Sequence, residues 1–358
     1  MNDSNSRSDL PPSATRPRIS ILIPTLNAAR TLELCLTAIR NQDYPADKTE
    51  LIIADAGSTD ETCAIATRFN VAKIVKNPLQ TGEAGKAAAA QAATGDILVL
   101  IDSDNILPEA NWLTRMTAPF ADPDVFASEP LEYTRRQSDS DLTRYFAMLG
   151  MNDPLNLFIG NYDRYSAISR KWTGLNMETA DRGDWLKVRI DTTKPIPTIG
   201  ANGFLIRRSA LEGVHWHPYW FDVDVVREAA ALSANNAAYV AKVKTGIVHL
   251  YCDSLETFAR KQKRRIRDFL YFSPERARVT VPGERRQLLI GIAAFSLATI
   301  LVFPLIAQRK HANNRIADPA WRLHGPVCRI TLCTYAAGAL RKLLGFKQAP
   351  VSRDNWRQ

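Results

Sequence analysis

The chain has 358 residues, 46% of them hydrophobic, and 46 Lys and Arg against 37 Asp and Glu give a formal net charge of +9. That is length for one large or two ordinary domains. Five cysteines, odd in number and without a C-x-x-C pair, are more simply free thiols in a reducing cytosol than a disulfide framework.

Residues 1–17, rich in Ser, Asn, Pro and Arg, read as a disordered leader; they hold no apolar h-region, so no signal peptide is expected. Arg18–Asn27 reads as a first strand ending in Pro24, Thr25 and Asn27, and Leu32, Leu36 and Ile39 then share one helical face. A second strand, Leu51–Ala54, runs into Asp55-Ala56-Gly57-Ser58-Thr59-Asp60. There Gly57 permits a turn and Ser58 or Thr59 can N-cap a helix starting near Asp60. A third strand is expected over Val71–Val75 and an Ala-rich helix over Glu83–Ala93. Five consecutive aliphatics, Ile97–Ile101, then read as a strand buried on both faces. This alternation predicts an α/β fold with a mostly parallel sheet, helices on both faces and right-handed crossovers.

Asp102-Ser103-Asp104 follows that buried strand, and ligands of open α/β sheets bind at the carboxyl edge. Carboxylate oxygens there suit a hard cation, Mg2+ or Mn2+, able to bridge to a diphosphate. D-x-D recurs at Asp122/Asp124, Asp139/Asp141 and Asp222/Asp224, but only the pair at 102 and 104 directly follows a buried strand. In the second half, Gly200-Ala201-Asn202-Gly203 lets backbone approach a ligand closely. Asp222, among Tyr219, Trp220 and Phe221, is placed for desolvation to raise its proton affinity toward that of a base, while Asp222 or Asp224 capping the helix Val225–Leu232 is the plainer alternative. His249 ends the apolar strand Gly246–Val248.

The segments ISILIPTLNAARTLELCLTAIRNQDYP, ELIIADAGSTDETCAIA, GEAGKAAAAQAATGDILVLIDSDN and IGANGFLIRRSAL resemble, in order and spacing, those of family 2 glycosyltransferases, over residues 18 to about 270. The resemblance implies a GT-A fold, a nucleotide-diphosphate sugar donor and a divalent metal. It implies that Pro24, Thr25, Asn27 and Asp55 hold the nucleoside, with Lys86, Asp102, Ser103 and Asp104 completing the donor site. Ala56 stands where the family often has a second Asp, and Lys86 where it often has Arg. By the same resemblance Asp104, Asp102 and His249 are metal ligands, Asp222 is the catalytic base with Asp224 two residues on, and Gly200 and Asn202 line the acceptor pocket. Gln262…Arg265 is similar to the Q-x-x-R-W motif of membrane-bound relatives, with Ile266 in place of Trp; with Arg264 it would meet the leaving diphosphate. Asp55 as a turn cap, Asn27 as a loop holder and Lys86 as a solvated helix residue remain open alternatives. No G-x-G-x-x-G follows the first strand, which disfavours a nicotinamide-dependent dehydrogenase.

Charge is unevenly divided: residues 255–358 hold 20 Lys/Arg and 6 Asp/Glu, net +14, and the rest is net −5. Six cations crowd Arg260–Arg267. These cations bracket Leu288–Ala307, 20 residues without a charge, about 30 Å as a helix and the thickness of a bilayer core. The pattern points to anionic lipid rather than nucleic acid. The expected organisation is a leader (1–17), a catalytic domain (18–254), a basic amphipathic interface segment (255–287), a transmembrane or membrane-embedded helix (288–307), and a basic C-terminal region (308–358) with a second membrane or interfacial helix at about 327–344. The reading is a metal-dependent inverting glycosyltransferase of the inner or plasma membrane, its catalytic domain cytoplasmic, acting on a hydroxyl of a glycan or lipid-linked acceptor. The alternatives are transfer to a polyprenyl phosphate and a non-catalytic nucleotide-sugar-binding membrane protein. Residues 130–198 carry no readable motif, and Tyr133, Tyr145, Tyr162, Tyr165 and Trp172 there are expected to pack a core or loop rather than a sugar.

Overall fold

Strand–helix alternation opens the chain as the sequence predicts. The computed structural model describes residues 16–233, 238–272, 284–302 and 318–346; most of the expected leader lies outside them. The first half contains β1 (Ile19–Thr25), α1 (Ala29–Arg40), β2 (Thr49–Asp55), α2 (Thr62–Arg68), β3 (Lys73–Lys76), α3 (Gly82–Ala92), β4 (Ile97–Leu100), β5 (Asn105–Ile106), α4 (Trp112–Thr117) and β6 (Val125–Tyr133). The second half contains α5 (Asp141–Leu149), α6 (Leu155–Ile159), β7 (Thr179–Asp181), β8 (Trp185–Arg189), β9 (Phe204–Arg207), α7 (Asp222–Leu232), β10 (Tyr239–His249), α8 (Leu255–Phe272), α9 (Glu284–Leu297) and α10 (His324–Leu343).

The strands β3–β2–β1–β4 lie side by side and parallel. Ile97 and Val99 of β4 pack in one core with Leu32, Leu36 and Ile39 of α1 and Trp112 of α4, while Leu98 and Leu100 face Ala87 and Ala90 of α3 and Val226 of α7. Two covered faces explain why this strand shows no polar alternation. Past β4 the order is β9–β6–β10–β8–β7, with β9 antiparallel to β4 and β6, so the whole sheet is mixed rather than mostly parallel. β9 is entered from the Gly200–Gly203 loop at the carboxyl edge and has to run back, which sets its direction.

No break in packing follows residue 254. Tyr145 and Phe146 of α5, Tyr251, Phe258 of α8 and Val327 of α10 share a third core, which also takes Tyr162, while Tyr165 stays exposed. The expected membrane helices read differently in three dimensions. The helical run made of α9 and the π-helical turn Ala298–Val302 that continues it buries Gly291, Phe295 and Thr299, four residues apart, and its Phe295 ring meets Phe158 of α6 at 5.4 Å between centroids. Its other sides expose Leu289, Ile290, Ile292, Leu297, Ile300 and Leu301. Thus the apolar run is a helix docked on one side, and among the described residues no helix is long and apolar enough to cross a membrane; residues 303–307 of the expected span lie outside them. α10 buries Val327, Cys328 and Thr331 and packs on α8 so closely that a Cβ added to Gly338 would lie 2.7 Å from Ile266.

Candidate active site

Four segments reach the carboxyl edge of the sheet, and each is held there by its own local chemistry. At the end of β2, the Asp55 carboxylate accepts from the backbone N–H groups of Gly57 (2.9 Å) and Ser58 (2.8 Å) and from the Thr25 hydroxyl (2.9 Å). Gly57 takes φ +91°, the left-handed conformation glycine tolerates. Asn27, itself at φ +50°, accepts from the Thr59 N–H at 2.9 Å. Asp55 and Asn27 therefore do what their plainer readings required: they tie the turns after β1 and β2 together. Pro24 packs on α3, where a Cβ on Gly85 would lie 2.7 Å from it.

At the end of β4, Asn105 shapes the Asp102-Ser103-Asp104 turn by accepting from the Asp102 N–H at 3.0 Å. Its amide then donates to Asn202 Oδ1 at 3.1 Å, and Asn202 donates to the Tyr133 hydroxyl at 3.2 Å. Asp104 Oδ1 lies 3.5 Å from His249 Nε2, and Asp104 Oδ2 lies 3.9 Å from Lys261 Nζ. Burial works against the ionised Asp104 carboxylate, but His249 and Lys261 outweigh it and hold its pKa below the ordinary value. Two of the three expected metal ligands thus converge. Among the described residues no three His, Cys, Asp or Glu side chains do so, and Asp102 instead exerts its charge on Lys86 and Asp222.

Asp222 is the first residue of α7; the cap position belongs to Phe221, whose side chain makes no capping bond, so neither Asp222 nor Asp224 is the N-cap. Both sit in the first turn, where the helix dipole favours a carboxylate. Asp222 Oδ1 accepts from Lys86 Nζ at 3.0 Å, so Lys86 is neither solvated nor free to act alone. Burial raises the Asp222 carboxyl to about 6, with the Lys86 charge only partly opposing it. Burial also works against Lys86, yet Asp222, Asp102 and Glu83 outweigh it and keep the ammonium charged. Gly200, at φ +130°, leaves no room for a side chain: an added Cβ would lie 2.7 Å from Asp222 Cβ.

Sequence reading missed the support beneath this edge. Glu129, Arg164 and Lys242 are fully buried; Glu129 takes Lys242 Nζ at 2.7 Å, Arg164 at 2.6 Å and the Gly200 N–H at 3.0 Å. Arg164 donates onward to the carbonyls of Ala201 (2.8 Å) and Asn202 (3.1 Å). The available signal was a charged residue inside each of two apolar strands, Glu129 in β6 and Lys242 in β10, which stand opposite each other in register. Lys261 was lost among the cations of α8. Conversely, Gln262 is enclosed between α8 and α10, reaching Asn152 O and Thr331 at 3.5 Å, and Arg265 donates to Asn152 O at 3.1 Å and lies 3.5 Å from Asp153. These contacts tie α8 to α10 and to the Asn152–Asp153 segment between α5 and α6; Arg264 is half-buried nearby.

The family model described as Glycosyl transferase family 2 matches residues 20–214, which include every segment of this edge except His249 and the start of α7 and α8. The chain belongs to the family 2 glycosyltransferases. Its GT-A-like fold is shared with a mannosyltransferase of Pyrobaculum calidifontis solved with GDP-Man and Mn2+, at 19% identity and a TM-score of 0.53 over 94% of this chain and 89% of that one. Glycosyltransferase AglE of Haloferax volcanii is 28% identical over 144 residues, 38% of this chain and 47% of the relative. A PGL/p-HBAD biosynthesis glycosyltransferase of Mycobacterium bovis is 37% identical over 107 residues, 28% of this chain and 41% of the relative. The chain thus spans less than half the length of these two relatives.

Proposed function

We propose that this glycosyltransferase moves a sugar from a nucleotide-diphosphate sugar to a hydroxyl of a glycan or lipid-linked acceptor, with inversion at the anomeric carbon. One observation carries the reading: two carboxylates stand on one sheet edge in opposite settings, Asp104 beside His249 (3.5 Å) and Lys261 (3.9 Å), which favour its ionised form, and Asp222 half-buried against Lys86 (3.0 Å) and raised to about 6. Separated proton affinities of this kind divide labour between a charge-bearing group and a base. Asp222 takes the proton from the acceptor hydroxyl. The oxygen then bonds to the anomeric carbon from the face opposite the diphosphate, and the bond to the diphosphate breaks with its electron pair leaving on the phosphate oxygen. Lys86 holds Asp222 in place, and the Gly200–Gly203 backbone, braced by Glu129 and Arg164, forms the wall against which the acceptor lies.

The donor set at Asp104 fits Mn2+ or Mg2+: a carboxylate held ionised beside an imidazole, with Asp102 at the same turn. Bound there with the donor, such an ion would neutralise diphosphate charge. Mn2+ and GDP-Man in the Pyrobaculum fold relative support the assignment. Lys261, rather than Arg265, is the α8 cation beside this site. The reading also puts the enzyme at the cytoplasmic face of the inner or plasma membrane, supported by the exposed apolar sides of α9, the +14 charge beyond residue 254 and five free cysteines.

A panel of UDP-, GDP- and dTDP-sugars incubated with the full chain and Mn2+ or Mg2+ tests the donor and metal. One sugar is expected to be hydrolysed slowly without acceptor, and chelation should stop it. A folded protein that turns over no member of the panel, or turns one over equally in chelator, would overturn the proposal.

A further inference from the structure

Between α6 and α9 lies an open cleft of about 650 Å³, within the size range of ligand sites. Its apolar lining comes from Leu157, Phe158, Ile159 and Ile290, and its charge from Lys171 and Arg286, with no carboxylate among the lining residues. Among the described residues neither cation is paired with an acid, and both are exposed. Two turns on from Ile290, on the same side of α9, Leu297 is exposed. The other wall is the loop closed where Gly174 N–H donates to Gly160 O at 2.9 Å. That same loop carries Arg164, which holds the carbonyls of Ala201 and Asn202 in the acceptor wall.

We infer that this cleft seats the lipid part of the acceptor, an apolar chain bearing a phosphate group, with Lys171 and Arg286 on the phosphate and the chain running out along α9. An apolar floor alone would take any chain; two unpaired cations without an acid select an anionic amphiphile. The loop shared with Arg164 links occupation of the cleft to the wall beside Asp222. The inference rests on the acceptor half of the proposed reaction and names its class.

Dodecyl phosphate, below its micelle concentration, is titrated into the full chain by calorimetry beside dodecanol and inorganic phosphate. One saturable site is expected, with each half-probe at least tenfold weaker. The Lys171→Glu/Arg286→Glu variant, whose changes lie on exposed side chains, should bind dodecyl phosphate at least tenfold more weakly at unchanged Tm. Equal binding by this variant at unchanged Tm, or dodecanol binding as tightly as dodecyl phosphate, would overturn the inference. If the variant is destabilised, Ile290→Trp replaces it: filling the cleft should weaken dodecyl phosphate to the same extent, and undiminished binding counts against the site. Dihexanoylphosphatidylglycerol, below its micelle concentration, binding as tightly as dodecyl phosphate would show that any anionic lipid fills the cleft, and the acceptor assignment would fall. Nucleotide-sugar hydrolysis is followed separately, so failure of glycosyl transfer and failure of the cleft are told apart.

Discussion

Asp222 and Lys86 form one unit, and their coupling makes the proposed base testable by pH. With its carboxyl at about 6, Asp222 accepts a proton only above that value, so transfer to a hydroxyl acceptor should fall off below pH 6. Lys86→Met removes the charge that opposes desolvation, so the acid limb should move to higher pH; a limb that stays near 6 would remove Asp222 as its source. Asp222→Asn should lower the transfer rate by roughly 10²–10⁴. Near-normal transfer in that variant would favour a phosphate acceptor, which is already ionised and needs no base. Asp104→Ala should abolish Mn2+- or Mg2+-dependent turnover with little change in Tm, because the residue lies in a turn beyond the strand. Metal titration of turnover checks this, and unchanged metal dependence would remove Asp104 as a ligand.

At the scale of elements, the acceptor wall depends on how β6 and β10 stand beside each other. Glu129 and Lys242 are opposite in register and both fully buried, with Arg164 as third member. Removing one partner leaves a buried charge uncompensated, so Glu129→Gln should destabilise the chain by ~3–5 kcal/mol in urea unfolding. Glu129→Gln combined with Lys242→Met should recover part of that loss, and a cycle without coupling would show that the pair does not act together. Gly200→Ala tests the same wall from the other side. Strain at φ +130° and the clash with Asp222 should cost about 1–3 kcal/mol and displace the base, so the rate should fall further than stability alone accounts for.

For the molecule as a whole, the C-terminal helices are part of the catalytic body and also present an apolar outer side. α9 and α10 share a fourth core through Phe295 and Cys328, with Leu155 of α6. Leu289 and Leu297 on α9, Ile300 in the turn that continues it, Leu343 at the end of α10 and Phe346 just past it are exposed. Apolar side chains in that number, beside basic residues each contributing on the order of 1 kcal/mol at an anionic surface, should bring the chain down with phosphatidylglycerol vesicles. High salt should release only part of it. Leu289→Ser/Leu297→Ser/Ile300→Ser should make the remainder salt-sensitive. A wild-type chain that stays in the supernatant at low salt would remove the membrane from the reading.

The parallel half of the sheet and the placing of Asp102 and Asp104 were legible in the sequence, because both depend on contacts written locally. Five aliphatics in a row state that both faces of β4 are covered, and the residues that follow must then emerge at the carboxyl edge. The family was legible for the same reason, since its signature lies in four short segments in order. What only the tertiary structure decided is which charged group meets which. Lys86 and Asp222 are 136 residues apart, and nothing in either neighbourhood names the other. Lys261 rather than Arg265 approaches Asp104 because the face α8 turns inward is set by its packing on α10, not by its crowded cations. The apolar run at 288 likewise reads as uniformly hydrophobic until Ile159 and Phe158 cover one side of it. Burial of a segment depends on partners distant in the chain, and hydropathy alone cannot tell a helix covered on one side from one covered all round.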